Sequence, residues 1–408
     1  MSAAPPLSGP ISTMLPDPES TLLVRSALWL PEAAREAILE WQTLGSLPAK
    51  RMSDQGRLLA PLISANLGQA PVGLDGRLVT YLRTALVREE LRGAEYRRIL
   101  AGLLDVFSRS GPPLLLFEGA ALAEMAYPRP ELRHTHGIST LIYDDDGERA
   151  AAILPEAGFH VTAGRDDLRG VRLRALHDSG LALTLRFGSL PFPHYGRFPE
   201  DLWRRAEERQ ILGSPTRVLS PADSLWHTCA RAATGQRRAT LLWACDAFFV
   251  REVEPALDWD VFIGQAARTD TTLPTHALLT WLAEAIGVPV PAAVLDRLAR
   301  DAERAGRTAR QIALAGAAWR AGPKLVPFLR ASRSWSDRFT IARWRFFPSA
   351  ATLQGAGQIR TRVAAPVFLA TRPARLVLGK VRGRWRRHRP PPEFSPPTAP
   401  AATSGEPP

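Results

Sequence analysis

The sequence predicts an α+β fold: a small mixed sheet with helices against it, flanked by N- and C-terminal helical regions. Three observations carry that prediction. Apolar residues recur at spacings of three and four from about residue 20 to 110. The period shortens to two in several brief runs between 111 and 215, and it lengthens again from 216 to about 322. With 45% hydrophobic and 23% charged residues over 408 positions, the chain has apolar surface enough for two or three domains with real cores.

Residues 1–18 are proline-rich and polar, so a disordered lead-in is expected; they lack the basic start and apolar stretch of a signal peptide. Residues 19–110 form the N-terminal helical region, through TLLVRSALWL, PEAAREAILEWQTL and LRTALVREELRGAEYRRILAGLLDVFSRSG, the last closed by Gly111 and Pro112. Residues 111–215 form the α/β core. PPLLLFEG is a short apolar run ending at Gly119, AALAEMAYP resumes a helix, ISTLIY is strand-like and DGERAAAILPEAGF is helical. VRLRAL and LALTLRF alternate on either side of HDSG and read as a hairpin. Residues 216–322 return to helix in SPADSLWHTCARAATG, RRATLLWACDAFFVRE, WDVFIGQAART and PTHALLTWLAEAIG, whose apolar faces must dock on the sheet unit. Residues 323–389 are basic and aromatic, and the proline-rich tail 390–408 is expected not to fold.

A formal net charge of +12 suggests an anionic partner. Most of the base is arginine on an alanine-rich background, which also marks proteins of GC-rich genomes, so charge alone does not choose among nucleic acid, phosphorylated ligand and membrane surface. The densest run, RGRWRRHR, places Arg382, Arg384, Trp385, Arg386 and Arg387 where anionic headgroups or phosphates would find them, unless it is simply a solubilising flank. Cys229 and Cys245 sit in apolar, helix-like text without CxxC spacing and read as buried thiols. No run reaches the ~18 apolar residues of a membrane span. A cytoplasmic protein is expected, with peripheral membrane contact through the basic run as a variant of that reading.

In the core, LLLFEGAALAEMAYPRPELRHTHGISTLIY places an apolar strand, a Gly-Ala-Ala-Leu turn into a helix, Tyr127–Pro128, Leu132–Arg133 and a second strand in fixed order. This arrangement resembles the nucleotidyltransferase superfamily, of DNA polymerase beta-like fold, and within it a bacterial group of uncharacterised nucleotidyltransferase family proteins. LLAPLISANL upstream is similar to that group, as are LWACDAFF, LDWDVFIGQAAR, AIGVPVP, RFFPS and ATRPARLV downstream, so the resemblance spans most of the chain.

The resemblance implies nucleotidyl transfer with Mg²⁺ held by three carboxylates: an Asp-x-Asp pair on one strand, both side chains on one face, and a third acid on the neighbouring strand. Carried onto this sequence, those positions are Gly137, Ser139 and Ala182, with Thr184 where a histidine is expected. None is a carboxylate. A unit charge beside a divalent ion is worth roughly 8 kcal/mol gross at an effective dielectric of about 20, so loss of all three predicts a dead metal centre. Glu118 stands where the group has lysine, and Gly119 and Ala120 open a helix whose N–H groups are the nucleotide-binding candidates, though the same turn serves packing.

The sequence therefore predicts a catalytically degenerate member, with no metal cofactor, acting in binding or assembly on a nucleotide, a phosphorylated ligand or a protein partner that the residues do not specify. Two alternatives stay open. One is an active enzyme whose Mg²⁺ has moved to Asp144, Asp145 and Asp146, which otherwise read as a turn and helix N-cap. The other is a peripheral membrane or nucleic-acid-binding protein using the basic C-terminal run. His134 and His136 have the spacing of a transition-metal pair but no third ligand nearby, so they read as loop histidines. His177, Asp178 and Ser179 read as turn chemistry rather than a hydrolase triad.

Overall fold

The computed structural model describes residues 15–44, 52–69, 72–166, 170–190, 199–234 and 241–304, with the isolated positions 335, 338 and 339. The expectations attached to the proline-rich tail and to Arg382, Arg384, Trp385, Arg386 and Arg387 lie outside the described residues.

Four helices precede the sheet: α1 (Pro18–Leu28), α2 (Pro31–Thr43), α3 (Ala60–Leu67) and α4 (Gly76–Ser110). Each start has a local cause. Asp17 accepts a hydrogen bond from the Ser20 N–H at 2.7 Å with Pro18 in the first turn, Pro31 and Pro61 open α2 and α3, and Asp75 accepts from the N–H groups of Arg77 and Leu78.

A seven-stranded mixed sheet follows, with the order β3-β4-β5-β2-β1-β7-β6. Its strands are β1 (Leu115–Phe117), β2 (Gly137–Leu141), β3 (Phe159–Ala163), β4 (Val171–His177), β5 (Ala182–Arg186), β6 (Glu207–Ile211) and β7 (Ser214–Val218). Helices α5 (Glu118–Met125), α6 (Gly147–Ile153) and α7 (Pro199–Arg205) connect them. At the centre, β1 runs antiparallel to β2 and parallel to β7, while β2 runs parallel to β5. Beyond the sheet come α8 (Pro221–Thr234), α9 (Leu242–Val253), α10 (Trp259–Arg268), α11 (Thr272–Trp281) and α12 (Ala292–Arg304).

Strand β1 lies in the short apolar run PPLLLFEG, β2 in the strand-like text around ISTLIY, and the β4–β5 hairpin where alternation places it. Three strands have no such signal: β3 is FHVTA, a mostly exposed edge, and β6–β7 is a polar hairpin whose sheet extends through Val218. That hairpin turns on Leu212 (φ +51°) and Gly213 (φ +86°) alone, a two-residue turn with both φ positive. Such turns are expected from Asn-Gly or Asp-Gly, and Leu-Gly does not announce one.

Alternation along the strands gives the sheet two different faces. On one, Leu116, Ile138, Leu183 and Leu185 join Leu100, Leu103 and Phe107 of α4 and Ala150 of α6 in an apolar cluster. On the other, Leu115, Phe117 and Leu141 join a larger core built from the flanking helices, including Trp41 of α2, Trp226 of α8 and Leu298 of α12. Cys229 and Cys245 are buried and unpaired within it, and burial pushes the Cys229 thiol up to about 12. Among the described residues no helix is long and apolar enough to cross a membrane.

Candidate functional site

On the second face, where the sheet is not covered by apolar side chains, a cleft of about 610 Å³ opens between β2, β5, the start of α5 and helices α8 and α9. Its floor contains Gly137 and Ser139 of β2 and Ala182 and Thr184 of β5. Parallel register pairs Gly137 with Ala182 and Ser139 with Thr184, so the structure brings all four positions into one patch. Glu118 and Gly119 form one wall, and α8 supplies His227, Thr228 and Arg231. Ala120, the companion of Gly119, does not line the cleft; it is buried in the apolar cluster on the opposite face.

Glu118 has φ +56°, a left-handed conformation that costs a non-glycine residue roughly 1–2 kcal/mol. Its carboxylate meets the Arg231 guanidinium at 2.7 Å. Burial pushes the Glu118 carboxyl up, but the nearby Arg231 and Arg186 charges outweigh it, with His227 and a hydrogen bond from Ser139 adding to them, and the net shift is downward. Arg186 is itself buried, which lowers it to about 10 against the opposing pull of Glu118, and its Nε donates to the Gly188 carbonyl at 3.0 Å. Neither arginine stood out in the sequence, because the arginine-rich background hides these two among many.

A second network fixes the far wall. Arg133 donates twice to the Asp246 carboxylate of α9, at 2.8 Å each, and the Tyr127 hydroxyl donates to the same carboxylate at 2.8 Å. Burial would lower Arg133, but Asp246 raises it further. The guanidinium lies so close to Gly119 that a Cβ there would come within 2.1 Å of its Nη1, so the turn requires glycine. Tyr127, Arg133 and Asp246 come from three stretches that carry the family resemblance, and only the fold shows that they form one network.

His227 donates from Nε2 to the Ser189 carbonyl at 2.9 Å, because a carbonyl can only accept. Burial holds its pKa down, to about 4, with Glu118 opposing and Arg231 reinforcing the shift, so the ring is neutral near pH 7. Ahead of β2, His134 Nδ1 meets Glu89 of α4 at 2.9 Å, and His134 Nε2 lies 2.9 Å from His136 Nε2 at the cleft rim.

The donor set does not fit Mg²⁺. A hard cation needs carboxylate oxygens, and the floor offers a glycine, a hydroxyl and an alanine. The two carboxylates that line the cleft, Glu118 and Asp246, are held by Arg231 and Arg133. A Cβ at Gly137 would sit 2.7 Å from the Ala182 carbonyl oxygen, so this strand pair is packed around the missing side chain. Asp144, Asp145 and Asp146 do not line the cleft. They form a single turn beyond the other end of β2, where Asp144 pairs with Arg165 and Asp146 with Arg149; Asp146 occupies the N-cap position of α6, but its carboxylate accepts no capping N–H. Among the described residues no three His, Cys, Asp or Glu side chains converge as a metal site. His177 and Ser179 bond each other in the exposed β4–β5 turn while Asp178 pairs with His160, so the three do not form a relay.

The model of the family described as uncharacterised nucleotidyltransferase matches residues 51–287, more than half of the chain. The chain belongs to this family. No curated protein and no solved structure matches it. The matched span of this nucleotidyltransferase family member takes in every residue that lines the cleft.

Proposed function

We propose that this nucleotidyltransferase family member has lost metal-dependent transfer and uses the inherited cleft for binding, in a scaffolding or assembly role. The supporting observation is the floor itself: the register that gathers the three family positions gathers Gly137, Ser139 and Ala182, and the nearest carboxylate, Glu118, is bound to Arg231. The charged side chains lining the cleft are two carboxylates, Glu118 and Asp246, and two guanidiniums, Arg133 and Arg231. That balance suits a ligand of low net charge. A triphosphate without a metal to share its charge is poorly matched, whereas a smaller phosphorylated ligand would meet Arg231 and the exposed His136 and draw Arg231 away from Glu118.

Calorimetry of the purified protein with ATP, CTP and GTP, with and without Mg²⁺, tests the reading. The expected result is nucleotide binding that is weak or absent and unaffected by Mg²⁺. Binding strengthened tenfold or so by Mg²⁺, about 1.4 kcal/mol, would contradict it.

A further inference from the structure

The loop entering β2 is held from both sides. Arg133 is locked to Asp246 of α9, and Arg92 of α4 reaches the Thr135 carbonyl at 3.3 Å. His134 and His136 flank Thr135, and their rings meet at the cleft at 4.2 Å between centroids. Glu89, bonded to Arg92 at 2.8 Å, lies 2.9 Å from His134 Nδ1 and accepts its N–H. That contact leaves His134 Nε2 turned toward His136 Nε2, at 2.9 Å. Arg92 also lies 3.3 Å from His134 Nδ1, but its charge is matched by Glu89.

We propose that His134 and His136 bind a divalent late transition metal at the rim of the cleft, with Glu89 as the positioning residue behind His134. A carboxylate on the far nitrogen of a histidine is the usual support of a metal ligand, because it orients the ring and raises its basicity. Around an ion with bonds of about 2.0–2.1 Å, cis nitrogens lie about 2.9 Å apart at a square angle and about 3.3 Å at a tetrahedral one. The observed separation lets both rings reach one ion, and two imidazole donors favour a late transition metal over Mg²⁺. The described protein supplies two ligands, so the remaining positions face the open cleft and are available to water or to a bound ligand's oxygen or nitrogen atoms. This inference stands apart from the loss of transfer, since it uses neither the floor residues nor Glu118.

The test uses the full chain with Ni²⁺ and Cu²⁺ as probes in calorimetry, and electron paramagnetic resonance of the Cu²⁺ form. His136 is exposed, so His136→Ala should fold as the parent does; His177→Ala, at the exposed β4–β5 turn, controls for adventitious binding. One ion per chain is expected, with splitting from two imidazole nitrogens. Affinity should fall about tenfold or more in His136→Ala and in Glu89→Gln, and remain unchanged in His177→Ala. The proposal is overturned by binding that survives His136→Ala, by loss in His177→Ala instead, or by a Cu²⁺ spectrum lacking the second nitrogen.

Discussion

Glu118 is a left-handed non-glycine residue, largely buried and charged, at the entrance to a helix, and its stability rests on Arg231. Removing one member of such a pair leaves the other charge uncompensated, whereas removing both does not. Arg231 is partly exposed, so water relieves some of the cost. Arg231→Met is expected to lower stability by about 1–3 kcal/mol in urea denaturation, and Glu118→Gln in the same background to recover a measurable part of it. Additive effects would mean that the two side chains are not energetically coupled. His227 makes a second residue-level prediction. Its pKa is about 4 in the folded chain and near 6.5 when unfolded, so between those values the unfolded chain binds the extra proton. Stability is therefore expected to fall as pH drops from about 6.5 toward 4. Near the middle of that window, His227→Gln should flatten the slope by about 1 kcal/mol per pH unit, as read from denaturation midpoints at a series of pH values. The three absent carboxylates at Gly137, Ser139 and Ala182 were legible in the sequence because they occupy fixed offsets in a strand motif. Arg231, which lines the cleft, and the buried Arg186 and Glu89 were not, because nothing in their local text distinguishes a buried or cleft-lining arginine or glutamate from one in solvent.

Among the elements, those with strong apolar periodicity were readable and those set by turn geometry were not. Helices α8, α9, α10 and α11 and the β4–β5 hairpin follow their hydrophobic patterns. The β6–β7 hairpin alternates charged and polar residues, EERQI against SPTRV, and its two-residue turn carries a leucine at positive φ. Burial beneath the sheet, with Ile211 and Val218 in the α4 cluster, decides that pairing more than local propensity does. Two glycines separate these causes. At Gly213 an added Cβ meets nothing within 4 Å but φ is +86°, while at Gly264 of α10 it also meets nothing and the backbone is helical. Gly213→Ala is expected to cost about 1 kcal/mol or more, and Gly264→Ala to add about 0.5–1 kcal/mol, in thermal or urea unfolding. The same sign for both would mean that the turn is not held as described.

For the whole molecule, the helical layers on the cleft side pack on a sheet whose cleft floor carries no carboxylate at 137, 139 or 182. That is physically reasonable. Phe117 and Leu141 belong to the same core as Trp226 and the other large side chains of the flanking helices, whereas positions 137, 139 and 182 line the cleft and lie outside that core. The core therefore does not depend on what stands at 137, 139 and 182, and the approach of Gly137 to the Ala182 carbonyl oxygen leaves little room for a side chain at 137. Mn²⁺, a paramagnetic stand-in for Mg²⁺, tests this most directly when titrated into the protein with and without ATP while the free-ion resonance is followed. The account predicts a signal that tracks total Mn²⁺ with no saturable site, and the same trace in Ser139→Ala. A stoichiometric site that appears with nucleotide, and weakens when Ser139 or Glu118 is replaced, would contradict it.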